Sequence, residues 1–410
     1  MVVRRLPLLL SLALALPTAH AADFSARELE AARALQARLV TLDSHLDTPA
    51  NFPRPDFDIT RNHAGNGLSQ VDLPRMREGL LDGGFFAIYT GQGDRQPATL
   101  IADRDAGLVR LLDIHQRLAA HRDQFELATT AADAARIKAA GKRVAYISME
   151  NSSPLEHDPS LLSYYHQAGL RMLSVTHTRN NGFGDSSTAA PEWKGLSPTG
   201  RKLVDEAVRL GIVLDQSHAS DELFDDLVQV LPVPFVLSHS SSKAVFDHPR
   251  NIDDARLRKL AAKGGVIQVN AYGGYLIDTA ASDERKAAEE AVERKFSGWD
   301  QMTIAEGAEL TKAMAELDAR YPVRKATEDD YFAHLEHILK VVGPEHVGIG
   351  MDWDGGGGVV GINDVAALPR ITAWLLRKGY SEQQIAGIWG GNLLRVMEQV
   401  QAHAATAAKK

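Results

Sequence analysis

Val40-Thr-Leu-Asp-Ser-His-Leu-Asp47 is a short β-rich run that closes on polar side chains and gives way to helical periodicity. Seven runs of the same kind follow, at 85–90, 143–151, 172–178, 212–218, 235–240, 265–271 and 346–354, each leading into a helical stretch. Eight strands alternating with helices, with no Pro/Ser-rich linker between them, predict one (β/α)8 TIM-like barrel rather than two domains. An open doubly wound sheet is the alternative. The charged, Ala-rich segment 280–331, with Glu284-Arg-Lys-Ala-Ala-Glu-Glu290, reads as added helices between the seventh and eighth strands. The last helices, from near Asp364 and Ser381, are expected to close the barrel.

Composition supports a globular chain. Of 410 residues, 44% are hydrophobic and 24% charged, with Gly 33 and Pro 17, which argues against disorder, collagen and coiled coil. A net charge of -8, with no long basic run, leaves no electrostatic footprint for nucleic acid. Cysteine is absent, so any metal must be held by histidine and carboxylate. At the N-terminus, Arg4 and Arg5 precede the apolar run Leu6 to Leu16, and Ala19-His-Ala21 offers a signal-peptidase site. About 11 apolar residues fall short of the roughly 20 that span a bilayer. The expectation is therefore a cleaved signal peptide, residues 1–21, an exported periplasmic or secreted product without a transmembrane anchor, and a single catalytic domain over 22–410 with its helical insertion at about 280–331.

Several of the runs end in a ligand-type or acid/base residue, and in a barrel those ends share one face. The first ends in His45 and Asp47, whose i and i+2 spacing points both side chains the same way. Others end in Glu150, His177, His218, His239 and Asp352. Singly, each has a plain reading: a histidine after a strand is more often a hydrogen-bonded structural residue, and Asp47 or Asp352 could cap a helix. Jointly they supply three histidines and two carboxylates suited to zinc, with His177 and Asp352 left for proton and charge work, which points to a metallohydrolase. His63, His115, His121, His157, His334 and His346 read as structural. Gly355 to Gly358 lacks the Lys-Ser/Thr of a phosphate loop and reads as a flexible loop on the active face. The triplet Asn151-Ser-Ser is taken as a chance match to a glycosylation site.

The chain also carries Asp43-Ser-His-Leu-Asp47-Thr-Pro, Gln70-Val-Asp-Leu-Pro-Arg-Met, Ser174-Val-Thr-His177 with Asn180-Asn, Asp215-Gln-Ser-His218, Ser238-His239-Ser-Ser with Arg250-Asn, Gly348-Ile-Gly-Met-Asp352-Trp-Asp-Gly and Gly391-Asn-Leu-Leu-Arg395-Val. Over nearly its whole length it resembles the membrane dipeptidase family, also called renal dipeptidase or peptidase family M19, of the amidohydrolase superfamily. The resemblance implies two zinc ions, one held by His45, Asp47 and Glu150, the other by Glu150, His218 and His239. Glu150 and a water or hydroxide would bridge them, and that hydroxide would attack the peptide carbonyl. Asp352 matches the family's acid/base residue, His177 the residue that steadies the oxyanion, and Arg250 the arginine that grips the C-terminal carboxylate of a dipeptide. The family also implies tolerance of a C-terminal D-residue and opening of some β-lactams. Segment 280–331 is longer than in mammalian members and resembles an extended bacterial branch, and Trp353 stands where Phe is commoner. The lack of cysteine removes the disulfides of some mammalian members but leaves a homodimer through barrel helices open. The competing readings are an amidohydrolase for N-acyl amino acids, lactams or lactones, and a non-catalytic peptide-binding barrel.

Overall fold

The computed structural model describes residues 23–298 and 301–409; the expected signal peptide lies outside them. Its strands are β1 (Leu42–Leu46), β2 (Gly83–Tyr89), β3 (Phe125–Leu127), β4 (Arg143–Glu150), β5 (Leu170–Ser174), β6 (Val213–Asp215), β7 (Val236–Ser240), β8 (Val266–Val269) and β9 (Val347–Ile349). Eight of them follow one another in parallel in the order β1-β2-β4-β5-β6-β7-β8-β9, with helices between, so the expected TIM-like barrel forms. Strands buried on both faces explain why the runs read as apolar with polar ends: every residue of β1, β6, β7, β8 and β9 is buried.

Among the described residues there is no ladder between β1 and β9, only isolated links. Leu46 bridges Trp353, and Asp47 N donates to Trp353 O at 2.9 Å. Below that bridge the buried Asp43 carboxylate accepts from Met351 N at 3.1 Å, and Ser44 Oγ donates across the interior to Ser238 O at 2.5 Å.

Two features depart from the sequence reading. β3 was not foreseen: three residues carry no periodicity to detect. It fills the edge of β4 at Arg143–Ala145, below the point where β5 begins to pair at Ile147. The strands are also shorter at their C-terminal ends than the runs suggested. His177, His218 and Asp352 each lie three residues past the last residue of β5, β6 and β9. Past β6 and β9 the backbone turns left-handed, with φ of 72° at His218 and 66° at Asp352.

The opposite end of the barrel is closed by apolar packing. Leu393, Val396, Met397 and Val400 of the helix Asn392–Ala407 cluster with Leu42, Phe85, Val144, Met172, Val213, Val236 and Val266 near the strand starts. Each such side chain contributes roughly 1.5–3 kcal/mol on burial. Between β8 and β9 the helices Asp283–Glu293 and Ile304–Arg320 form, linked by Arg285 to Asp318 at 2.7 Å. They dock on the loop after β1: Asp56 caps Ile304 N at 2.9 Å, and Gly307 sits where a Cβ would overlap Leu68. The helix Glu328–Val342, which begins inside the range expected for the insertion, leads directly to β9 and carries a capping box from Thr327 and Asp330.

Candidate metal centre

Strand direction delivers the polar side chains to one end. His45 lies in β1, Glu150 ends β4 and His239 lies in β7, while Asp47, His177, His218 and Asp352 sit just past strand ends. All seven side chains converge. His45 Nε2 is 3.1 Å from Asp47 Oδ2 and 3.4 Å from Glu150 Oε2. Glu150 Oε1 is 3.0 Å from His218 Nε2 and 3.3 Å from His239 Nε2. Thus one carboxylate turns its two oxygens towards two different donor sets. Asp352 Oδ1 is 4.0 Å from His45 Nε2, and His177 Nε2 is 3.8 Å from Glu150 Oε1.

Among the described residues three buried ligand groups form: His45, Asp47 and Glu150; Glu150, His218 and His239; and His45, His239 and Asp352. The donors fit a bound cation on two grounds. His218 Nε2 and His239 Nε2 lie only 2.9 Å apart, and lone pairs facing at that distance repel unless a proton or cation lies among them. Asp47 Oδ1 is buried without a hydrogen-bond partner, a costly arrangement for a carboxylate that coordinates nothing. Nitrogen and oxygen donors without thiolate suit a divalent transition metal.

Electrostatics follow from crowding. Burial disfavours the His45 imidazolium, yet the Asp47 and Glu150 carboxylates outweigh it and hold its pKa well above the ordinary histidine value. Burial likewise opposes ionisation of Glu150, but the histidines around it hold its pKa well below the usual carboxylate range. Burial dominates at His218 and His239 and lowers both. Burial, then the Asp47 and Glu150 charges, pushes Asp352 up to about 7. Among the described residues, His218, Asp352, Asp354 and Asn151 also account for four of the six non-glycine residues at positive φ, backbone held there at about 1–3 kcal/mol each.

A cavity of about 390 Å³ opens over the centre, lined by Asp47, Glu150, His177, His218 and Asp352 and walled by Ala50, Tyr89, Thr178, Tyr272 and Tyr275. That volume falls in the ordinary range for small ligands, roughly 300–1,000 Å³. The glycine run completes the wall. A Cβ on Gly355 would overlap the Asp47 and Asp352 carboxylates, and one on Gly356 would meet the Tyr272 ring at 2.6 Å. Arg250 stands behind the cavity rather than in its lining: its guanidinium donates to His239 O at 3.1 Å and lies 5.0 Å from the Tyr275 ring, with Nε buried and unpartnered.

Sequence reasoning missed the tyrosines. Tyr89 is positioned by register, opposite Glu150 in the β2–β4 ladder, whereas Tyr272 and Tyr275 follow β8 in a segment with no ligand-type pattern. Asp354 was also passed over; it exchanges hydrogen bonds with Gln70, its N donating to Gln70 Oε1 at 2.9 Å and its Oδ1 accepting from Gln70 N at 2.5 Å. The histidines read as structural behave so at four positions: His63, His115, His334 and His346 bind the backbone oxygens of Asp58, Ala168, Leu276 and Gly265.

Comparison with known proteins agrees with this geometry. The family described as membrane dipeptidase (peptidase family M19) matches residues 29–410. Dipeptidase tcpJ of Claviceps purpurea is 30% identical over 358 residues, covering 85% of this chain and 73% of the relative. Dipeptidase 3 of Homo sapiens is 28% identical over 381 residues, covering 90% and 67%. Among solved structures, the probable dipeptidase PvdM of Pseudomonas aeruginosa superposes with a TM-score of 0.79 at 27% identity, over 93% of this chain and 100% of that one. A metallopeptidase of Rhodobacter sphaeroides, liganded with a phosphinate mimic of the dipeptide L-Ala-D-Ala, superposes with a TM-score of 0.68 at 26% identity, over 88% and 99%. This chain belongs to the membrane dipeptidase family of metallopeptidases, peptidase family M19.

Proposed function

We propose that the chain is an exported zinc dipeptidase that cleaves the single peptide bond of a dipeptide and accepts a D-residue at its C-terminal position. The observation that carries the reading is Glu150, whose Oε2 faces His45 at 3.4 Å while Oε1 faces His218 at 3.0 Å and His239 at 3.3 Å. His45, Asp47 and Glu150 would hold one zinc, and Glu150, His218 and His239 the other. Bound there, the pair supplies Lewis acidity and brings a water's pKa towards neutrality.

The chain's own residues do the rest. Asp352, pushed up to about 7, takes a proton at its carboxylate as water adds to the peptide carbon and returns it to the leaving amine. His177 lies 3.8 Å from Glu150 with its ring edge-on to Tyr89, and its Nε2–H donates to the oxyanion. Arg250 brings a buried cation with an unpartnered Nε to the side of the site where the substrate's C-terminal carboxylate would lie. Tyr272 and Tyr275 wall the cavity, so a second peptide unit has little room and longer peptides are poor substrates. A D-residue is compatible with the L-Ala-D-Ala mimic held by the Rhodobacter sphaeroides relative. Export rests on Arg4, Arg5, the run Leu6 to Leu16 and Ala19-His-Ala21. Among the described residues no helix is long and apolar enough to cross a membrane.

The test is a panel of L-L and L-D dipeptides, tripeptides, N-acyl amino acids and lactones, assayed before and after chelation. Chelation-sensitive cleavage of dipeptides of both kinds is expected. Turnover confined to N-acyl amino acids or lactones would overturn the substrate class.

A further inference from the structure

The strand ends that carry His218 and His239 also carry a hydrogen-bond chain that none of the proposed catalytic steps uses. Asp215, 1% exposed at the end of β6, accepts four hydrogen bonds. Its Oδ1 takes the backbone N–H groups of Ser217 at 2.9 Å and Ser238 at 2.8 Å. Its Oδ2 takes the hydroxyls of Ser174 at 2.7 Å and Ser238 at 2.5 Å. Ser238 Oγ in turn lies 2.7 Å from His239 Nδ1. A serine hydroxyl has one hydrogen to give, and Ser238 gives it to the carboxylate. Towards His239 it can therefore only accept, so Nδ1 must carry the imidazole proton. The lone pair is then on Nε2, the atom 3.3 Å from Glu150 Oε1. His218 differs: its Nδ1 is buried with no hydrogen-bond partner.

We infer that Asp215 and Ser238 are positioning residues that fix His239 as the Nδ1–H tautomer, making it the pre-set ligand of the second cation. The inference rests on the metal reading above. It yields an ordering that simple packing does not. In Asp215→Asn the two backbone N–H groups cannot turn, so the amide oxygen must stay with them and the amide NH2 must take the place of Oδ2. That NH2 donates to Ser174 and Ser238, Ser238 passes its hydrogen to His239 Nδ1, and the proton is driven onto Nε2, where it blocks the metal. In Ser238→Ala the bias is merely lost. The near-isosteric change is therefore the more damaging one.

The experiment titrates zinc against a chromophoric chelator competitor on the full chain. Wild type is expected to bind two zincs. Ser238→Ala should weaken one of them about 10-fold, and Asp215→Asn the same one by about 100-fold, the two ends of the range seen when the partners of ligating histidines are removed. Zinc binding by Asp215→Asn within twofold of wild type, or weaker binding by Ser238→Ala than by Asp215→Asn, would overturn the inference. Failure of the metal reading shows differently, as a wild-type chain that takes up no zinc. The relay is then judged on metal-free wild type with 15N-labelled histidine, His239 being assigned by its loss in His239→Gln. A proton on Nδ1 supports the relay, and a proton on Nε2 defeats it whether or not any variant folds.

Discussion

The two ends of the barrel use the same strands for opposite purposes. At the strand starts, Leu42, Phe85, Val144, Met172, Val213, Val236 and Val266 pack against Leu393, Val396, Met397 and Val400. At the strand ends, seven ionisable side chains crowd together, left-handed residues cluster, and the carboxylate Asp47 Oδ1 lacks a partner. The first end is arranged for stability, and the second is costly in the absence of a bound cation. The active end is held in place by the other, so changes at the two ends should separate activity from stability.

The largest expected effect is on activity. Glu150→Gln removes the shared charge from both donor sets, so kcat/KM should fall well beyond the 10–100-fold typical of altered ligand partners. Full activity with two zincs bound would break the comparison at its centre. Next is Asp352→Asn, which removes the proton carrier but no member of the two proposed zinc sites. A loss of about 10²–10⁴-fold in kcat with zinc content unchanged is expected, and loss of zinc would move Asp352 into the ligand set.

Met397→Ala acts on the other end. Its fully buried side chain leaves a cavity worth about 2–5 kcal/mol, read as a lower denaturant midpoint, while kcat/KM per folded molecule should not change. A substrate-dependent change in kcat/KM would show that the ends are coupled. The smallest effect concerns pH. Burial pushes Glu156 up to about 7, with its Oε1 unpartnered. A raised carboxyl pKa means that the unfolded chain ionises first as pH rises, so this group's stabilising contribution is full below about 4.5 and is lost on the way up to about 7. Glu156→Gln should therefore raise the melting temperature at pH 8 relative to wild type and flatten its fall between pH 5 and 7; an equal shift at both pH values would contradict the assignment.

Much of this was legible in the sequence because the barrel repeats one local pattern. Each apolar run followed by a helix is readable alone, and a run ending in His, Asp or Glu marks the active face. What was not legible depends on three-dimensional neighbours. β3 is set by an edge of β4 left free until Ile147. Hydrophobicity alone extends β6 and β9 as far as the left-handed turns at His218 and Asp352, three residues beyond where pairing ends. Tyr272 and Tyr275 reach the cavity only through the path of the chain after β8, which also brings the Tyr275 ring to 5.0 Å from the Arg250 guanidinium. Asp215 and Ser238 were in plain view inside the motifs, but their roles rest on counting donors and acceptors, which needs coordinates.

Glu150 is proposed to join two cations. Anomalous diffraction at the zinc edge, from crystals of the zinc-loaded protein, tests it. Two peaks are expected, one against each Glu150 oxygen, with His45 and Asp47 at the first and His218 and His239 at the second. A single peak, or two peaks with Glu150 bound to neither, would contradict it.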